Sequence, residues 1–161
     1  MRIALLGALV LLLVSAGIED ARTREIADAK NIAIALLAPL WWWTSGLAVW
    51  PGMAVQIVVA LAAFLLFAQA FRIGMMGGGD VKMIAAIALW LPLSSLFRMM
   101  LVMSIAGGAV TIAMLVDHRL RLRLRKQGDS AAAIEVPYGV AIAIAALMIL
   151  QEPLFNPFPT I

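Results

Sequence analysis

The chain has 161 residues, 65% of them hydrophobic and 13% charged, with a mean hydropathy of +1.04. So small a soluble domain leaves too much area in water to hide that apolar content, so composition calls instead for an all-α bundle of membrane-spanning helices. The lack of cysteine and the single histidine, His118, exclude disulfides, zinc–thiolate centres, a cysteine nucleophile and a multi-histidine metal site, and a net charge of +3 is no nucleic-acid-binding excess.

Charge-free apolar runs lie at roughly 3–18, 31–46, 51–71, 83–97, 99–116 and 136–151. They predict about six transmembrane helices in a single membrane-embedded domain over 1–161, with no separate soluble domain. Several fall short of the ~20 residues that cross a hydrocarbon core, so they need flanking residues or a thinned bilayer. The first run, Arg2 to Val14-Ser15-Ala16, resembles a signal peptide with its cleavage site. The stronger charges follow the run, at Arg22 and Arg24, which favours an uncleaved helix. Between Lys30 and Arg72 there is no charge, and Thr44-Ser45-Gly46 with Pro51-Gly52 marks the turn that divides this stretch. Trp41, Trp42, Trp43 and Trp50 around that turn read as an interfacial aromatic belt. Pro92, Ser94, Ser95 and Arg98 mark the next turn, between the fourth and fifth runs. Met75, Met76, Met99, Met100 and Met103 read as lipid-facing packing, with an adaptable substrate groove as the alternative. The alternating stretch His118 to Lys126 reads as a basic anchor on anionic headgroups, because no aromatic residue interleaves it as base stacking requires.

Alternate loops differ sharply in charge. One set holds Arg22, Arg24, Lys30, Arg72, Lys82, Arg119, Arg121, Arg123, Arg125 and Lys126; the other holds only Arg2 and Arg98. The positive-inside rule then predicts a multi-pass protein of the inner (plasma) membrane with both termini away from the cytoplasm.

Two carboxylates stand out. Asp80 follows Gly77-Gly78-Gly79 at the mouth of the fourth run, and Asp20 closes the first. Loop parity puts both near the cytoplasmic face. An acid at that depth is costly and marks a candidate site. As a structural group, Asp80 would cap its own helix, with the glycines as a flexible lead-in. Asp20 fits its helix C-terminus poorly, because the macrodipole disfavours an anion there unless Arg22 and Arg24 offset it. Glu19, Glu25 and Asp28 read as solvated charges or local salt-bridge partners. Brought together, two carboxyls share a proton, and the pair can activate water while polarising a scissile carbonyl.

Gly77-Gly78-Gly79-Asp80-Val81-Lys82 resembles the glycine-x-glycine-aspartate motif of the type IV prepilin peptidases. Asp20-Ala21-Arg22-Thr23-Arg24-Glu25-Ile26 is similar to the stretch around that family's first catalytic aspartate, and Val136-Pro137-Tyr138-Gly139 to its entry into the last helix. The resemblance implies six helices and an aspartic endopeptidase without cofactor or metal, removing short basic leaders from prepilin-like proteins on the cytoplasmic side. By position it implies Asp20 and Asp80 as the catalytic pair, Gly77 and Gly79 as shaping residues, Lys82 as a supporting residue, and Pro137 and Tyr138 as residues lining the site. The family's usual proline-asparagine is replaced by Ala27-Asp28, and the zinc-binding cysteines of its methylating members are absent. That points to the compact form serving tight-adherence (Flp-type) pili. The expected partners are a prepilin or pseudopilin substrate and membrane lipid, with no nucleic acid; a homo-oligomer is compatible. The competing readings are a preflagellin-type or other intramembrane aspartic protease, a non-catalytic assembly subunit, and a small proton-coupled transporter. A transporter calls for acids at more than one depth, whereas the candidates here share one face.

Overall fold

The computed structural model describes residues 1–124 and 138–151. Pro137 and the end of the basic stretch, Arg125 and Lys126, lie outside the described residues. Among the described residues the chain is all helix: α1 (Arg2–Thr23), α2 (Asp28–Ser45), α3 (Ala54–Arg72), α4 (Gly78–Ala88), α5 (Leu93–Leu124) and α6 (Tyr138–Leu150). Three helical stretches among these residues, Arg2–Thr23, Val49–Arg72 and Leu93–Asp117, are long and apolar enough to cross a membrane. The fold is therefore the all-α bundle the composition requires. α4 and α6 are short, at 11 and 13 residues.

α4 is the hub, packed against α2, α3 and α6, while α1 packs on α2 and α6, and α5 on α6. Its Met83, Ile84, Ile87 and Ala88 are buried, as are Trp90 and Leu91 just beyond it. α1 buries Leu5, Leu9, Leu13, Ala16, Gly17 and Asp20, a stripe at helical spacing. Asp20 thus occupies the last core position of an otherwise apolar face. The buried residues of α6 are mostly small, Gly139, Ala141, Ala143, Ala145 and Ala146. A Cβ on Gly17 of α1 would stand 3.1 Å from the Ala143 Cβ, so the two backbones meet almost directly. α3 buries only Gln56, Ala60 and Ala63, and leaves Val55, Ile57, Val58, Leu61, Leu65 and Leu66 exposed. So large an apolar outer face belongs against lipid rather than water.

Three expectations change. The fourth helix ends at Ala88, and α5 begins at Leu93, so the turn lies over residues 89–92 rather than around Pro92–Arg98. Pro92 stands just before α5, where its carbonyl accepts from Leu96 N–H, while Ser94, Ser95 and Arg98 are already helical. Hydropathy runs unbroken through this turn because its polar backbone is satisfied by side chains from elsewhere. Trp42 Nε1 donates to Leu89 O (2.7 Å), and Gln56 Nε2 to Ala88 O and Leu91 O. The tryptophan belt shrinks for the same reason: Trp41 and Trp42 are core residues, Trp41 stacking on Trp90, and only Trp43 and Trp50 are exposed. Of the methionines, Met99 and Met103 are buried in the core, so their part of the patch does not face lipid. α5 meanwhile continues through the first basic residues to Leu124.

Candidate active site

The last turn of α1 and the first turn of α4 lie at the same end of the bundle. Asp20, Arg24, Glu25 and Ile26 from one side, and Gly77, Gly78, Gly79 and Asp80 from the other, line one cavity of about 210 Å³. Both aspartates are buried, Asp20 at 4% and Asp80 at 7% exposure, and their charges act on each other.

Each carboxylate is held by backbone N–H groups. Gly77 is the N-cap of α4, and Asp80, in the first turn, reaches back to accept from the Gly77 N–H. This is the acidic half of a capping box. Asp80 therefore closes the start of its helix from the third helical position rather than as the N-cap itself. A Cβ on Gly77 would stand 3.0 Å from Asp80 Oδ2, so a larger residue there would press on the carboxylate. Asp20 is anchored by a different helix. Its Oδ2 accepts from Val140 N–H (3.1 Å), and the carboxylate also accepts from Gly139 N–H, both in the first turn of α6. The unfavourable end of α1 is thus offset by the favourable end of α6, whose free N–H groups and positive dipole end suit an anion. Arg24 adds a positive charge near Asp20. Its left-handed backbone (φ 59°) ends α1, with Arg24 N–H bonded to Asp20 O at 2.9 Å.

Ile26 fills the space between these elements. A Cβ on Gly79 would meet Ile26 Cβ at 3.2 Å, and one on Gly139 would meet Ile26 Cδ1 at 2.7 Å and Asp20 Cγ at 2.8 Å. Asn31 of α2, 4% exposed, donates from Nδ2 to Gly79 O (3.2 Å) and so supports the second motif from behind. The sequence reading passed over Arg24, Ile26, Asn31 and Gly139 as site residues. Arg24, Ile26 and Gly139 lie within the motifs quoted above, which was their signal, whereas nothing in the sequence marked Asn31.

The remaining sequence candidates stand elsewhere. Lys82 does not line the carboxylate cavity; it pairs with Asp28 (2.7 Å) and ties the start of α2 to α4. Tyr138 does not line the cavity either and faces α5, where a Cβ on Gly107 would stand 3.4 Å from its Cε1. Pro137 lies outside the described residues. Glu19 is a local salt-bridge partner, bound to Lys30 at 3.0 Å and accepting from Ala27 N–H.

Residues 7–112 match the model of the type IV leader peptidase family. The chain belongs to that family. No curated protein and no solved structure matches it significantly. The matched stretch contains both aspartates and ends before α6. Membership makes this a leader-peptidase-like chain, and its long apolar helices agree with a membrane peptidase.

Proposed function

We propose that this member of the leader peptidase family is an aspartic endopeptidase that removes the leader of a prepilin-like, Flp-type substrate at the cytoplasmic face of the inner membrane. The observation that carries the reading is the shared cavity of Asp20 and Asp80, buried and braced by backbone N–H groups. The resemblance assigns the same two positions to catalysis. Six crossings of one membrane-embedded unit, with both termini outside, fit the loop charges and put the cavity on the inner side.

In this reading the dyad holds one proton. The ionised carboxylate takes a proton from a water molecule, and the water oxygen attacks the scissile carbonyl carbon. The protonated carboxyl gives its proton to the carbonyl oxygen as the tetrahedral intermediate forms. Collapse breaks the C–N bond: the leaving amine takes a proton from one carboxyl, and a hydroxyl of the intermediate returns its proton to the other as the carbonyl re-forms, so the dyad again holds one proton. Gly77 keeps a side chain away from the Asp80 carboxylate, and Gly79 lets Ile26 close against the start of α4; Asn31 fixes the backbone beside Asp80. Lys82 acts at a distance, through its bridge to Asp28.

The test is leader cleavage of a co-expressed prepilin in membranes. Asp20→Asn and Asp80→Asn are each expected to abolish processing while the protein accumulates at wild-type level. Normal cleavage by either variant would sink the dyad.

A further inference from the structure

Only four residues, 24–27, join α1 to α2, and three of them line the carboxylate cavity. Arg24, Glu25 and Ala27 are exposed, whereas Ile26 is turned inward and buried. It stands between Gly139, in the first turn of α6, and Gly79, in the first turn of α4. The turn of α6 braces Asp20, and the turn of α4 carries Asp80. Ile26 therefore occupies the gap between the two mounts of the carboxylate pair.

A short irregular strap needs ties of its own to keep one side chain in place against chain entropy. They converge on Glu19, the residue before Asp20 on α1. Its carboxylate accepts from Ala27 N–H (3.0 Å) and pairs with Lys30 of α2 (3.0 Å). Lys30 Nζ also donates to Ser15 O (2.9 Å), and Thr23 Oγ1 donates to Glu19 O (2.9 Å). Ala27 is the N-cap of α2 and has no side chain to cap with. In a capping box the N-cap N–H is met by an acid three residues on. Here that position is Lys30, and Glu19 supplies the acid from another helix. The Ala27 backbone, φ −59° and ψ 130°, is one that proline adopts unaided. Proline is also what the family resemblance leads one to expect there; its ring would fix the strap without any bond.

We propose that Glu19 is a positioning residue for peptide cleavage: by holding Ala27 N–H it keeps Ile26 wedged between α4 and α6, and so fixes the spacing of Asp20 and Asp80. The inference rests on the leader-peptidase reading. Glu19 acts through the strap and touches neither the carboxylate pair nor the substrate.

The test uses the full chain in lipid nanodiscs and a synthetic peptide with a basic leader followed by an apolar segment. Glu19→Ala is expected to lower kcat about tenfold while KM stays within about twofold of wild type. Glu19→Gln, whose amide oxygen can still accept from Ala27 N–H, is expected to recover most of that loss, which separates the backbone tie from the ion pair with Lys30. Ala27→Pro alone removes the N–H and sets a ring carbon against the Glu19 carboxylate, so it should be slow. The double variant Glu19→Ala/Ala27→Pro is expected to be faster than either single one, because the ring then holds the strap. A Glu19→Ala variant with wild-type kcat, or a double variant no faster than Glu19→Ala, overturns the proposal. A readout independent of turnover uses Ile26→Cys in this cysteine-free chain. Its thiol is expected to react with a maleimide about tenfold faster once Glu19→Ala is added, as the strap opens. Equal rates overturn the proposal. If the unmodified chain does not cleave the peptide, the peptidase reading fails, and the thiol rates still decide the strap.

Discussion

At the scale of single residues, the tightest contact in the site involves a side chain that is missing. Gly139 lies so close to Asp20 and Ile26 that any Cβ overlaps both. Ile26 Cδ1 is the flexible end of a side chain and can yield, but the carboxylate is held by α6 and cannot move without losing its bonds. Gly139→Ala is therefore expected to displace Asp20, costing about 1–3 kcal/mol of stability for overpacking. A misplacement near 1 Å costs roughly a hundredfold in rate. A processing time course beside a thermal melt checks both, and wild-type turnover would contradict the assignment. Lys82 makes the opposite case. Its bridge to Asp28 joins partners 47% and 62% exposed, so Lys82→Ala should lower stability by no more than about 1 kcal/mol, read from the same melt. The two aspartates were legible because a carboxylate beside an apolar run is expensive, and because loop parity placed both at one face. The role of Gly139 was not, because it comes from a close approach between α1 and α6 that no local spacing encodes.

At the scale of elements, α4 presents the odd energetic problem. An isolated helix of 11 residues is marginal, and its last carbonyls have no partner within it. Gln56 from α3 and Trp42 from α2 satisfy Ala88, Leu89 and Leu91, while the fully buried Trp90 donates from Nε1 to Ile34 O. These bonds fix the far end of the helix that begins with Asp80. Gln56→Leu leaves two buried carbonyls unsatisfied and is expected to cost about 1–3 kcal/mol. Trp90→Ala also opens a cavity and should cost about 3–5 kcal/mol. Melting in detergent separates the two; a Gln56→Leu variant as stable as wild type would show that its bonds do not hold α4. Hydropathy located the apolar runs but misplaced the α4–α5 turn and the tryptophan belt. It reports how apolar a residue is, not whether a neighbouring helix supplies the hydrogen bond that lets a turn stay buried.

At the scale of the whole molecule, composition and loop charge were enough for an all-helical membrane bundle, while the short α4 and α6 depend on packing alone. Orientation is directly testable because the chain has no cysteine of its own. Met75→Cys, between α3 and α4, is expected to react with an impermeant maleimide only after the membrane is opened, and Ala48→Cys, between α2 and α3, in intact cells. The reverse pattern would place the carboxylate cavity on the outer side. The bond from Val140 N–H to Asp20 spans 120 positions of sequence. A chain synthesised from its N-terminus has both aspartates made long before the helix that steadies the first of them. During that interval Asp20 has neither the Val140 nor the Gly139 N–H to hold it. Assembly order thus acts as a timer: the carboxylate pair reaches its braced geometry only once α6 has entered the bundle.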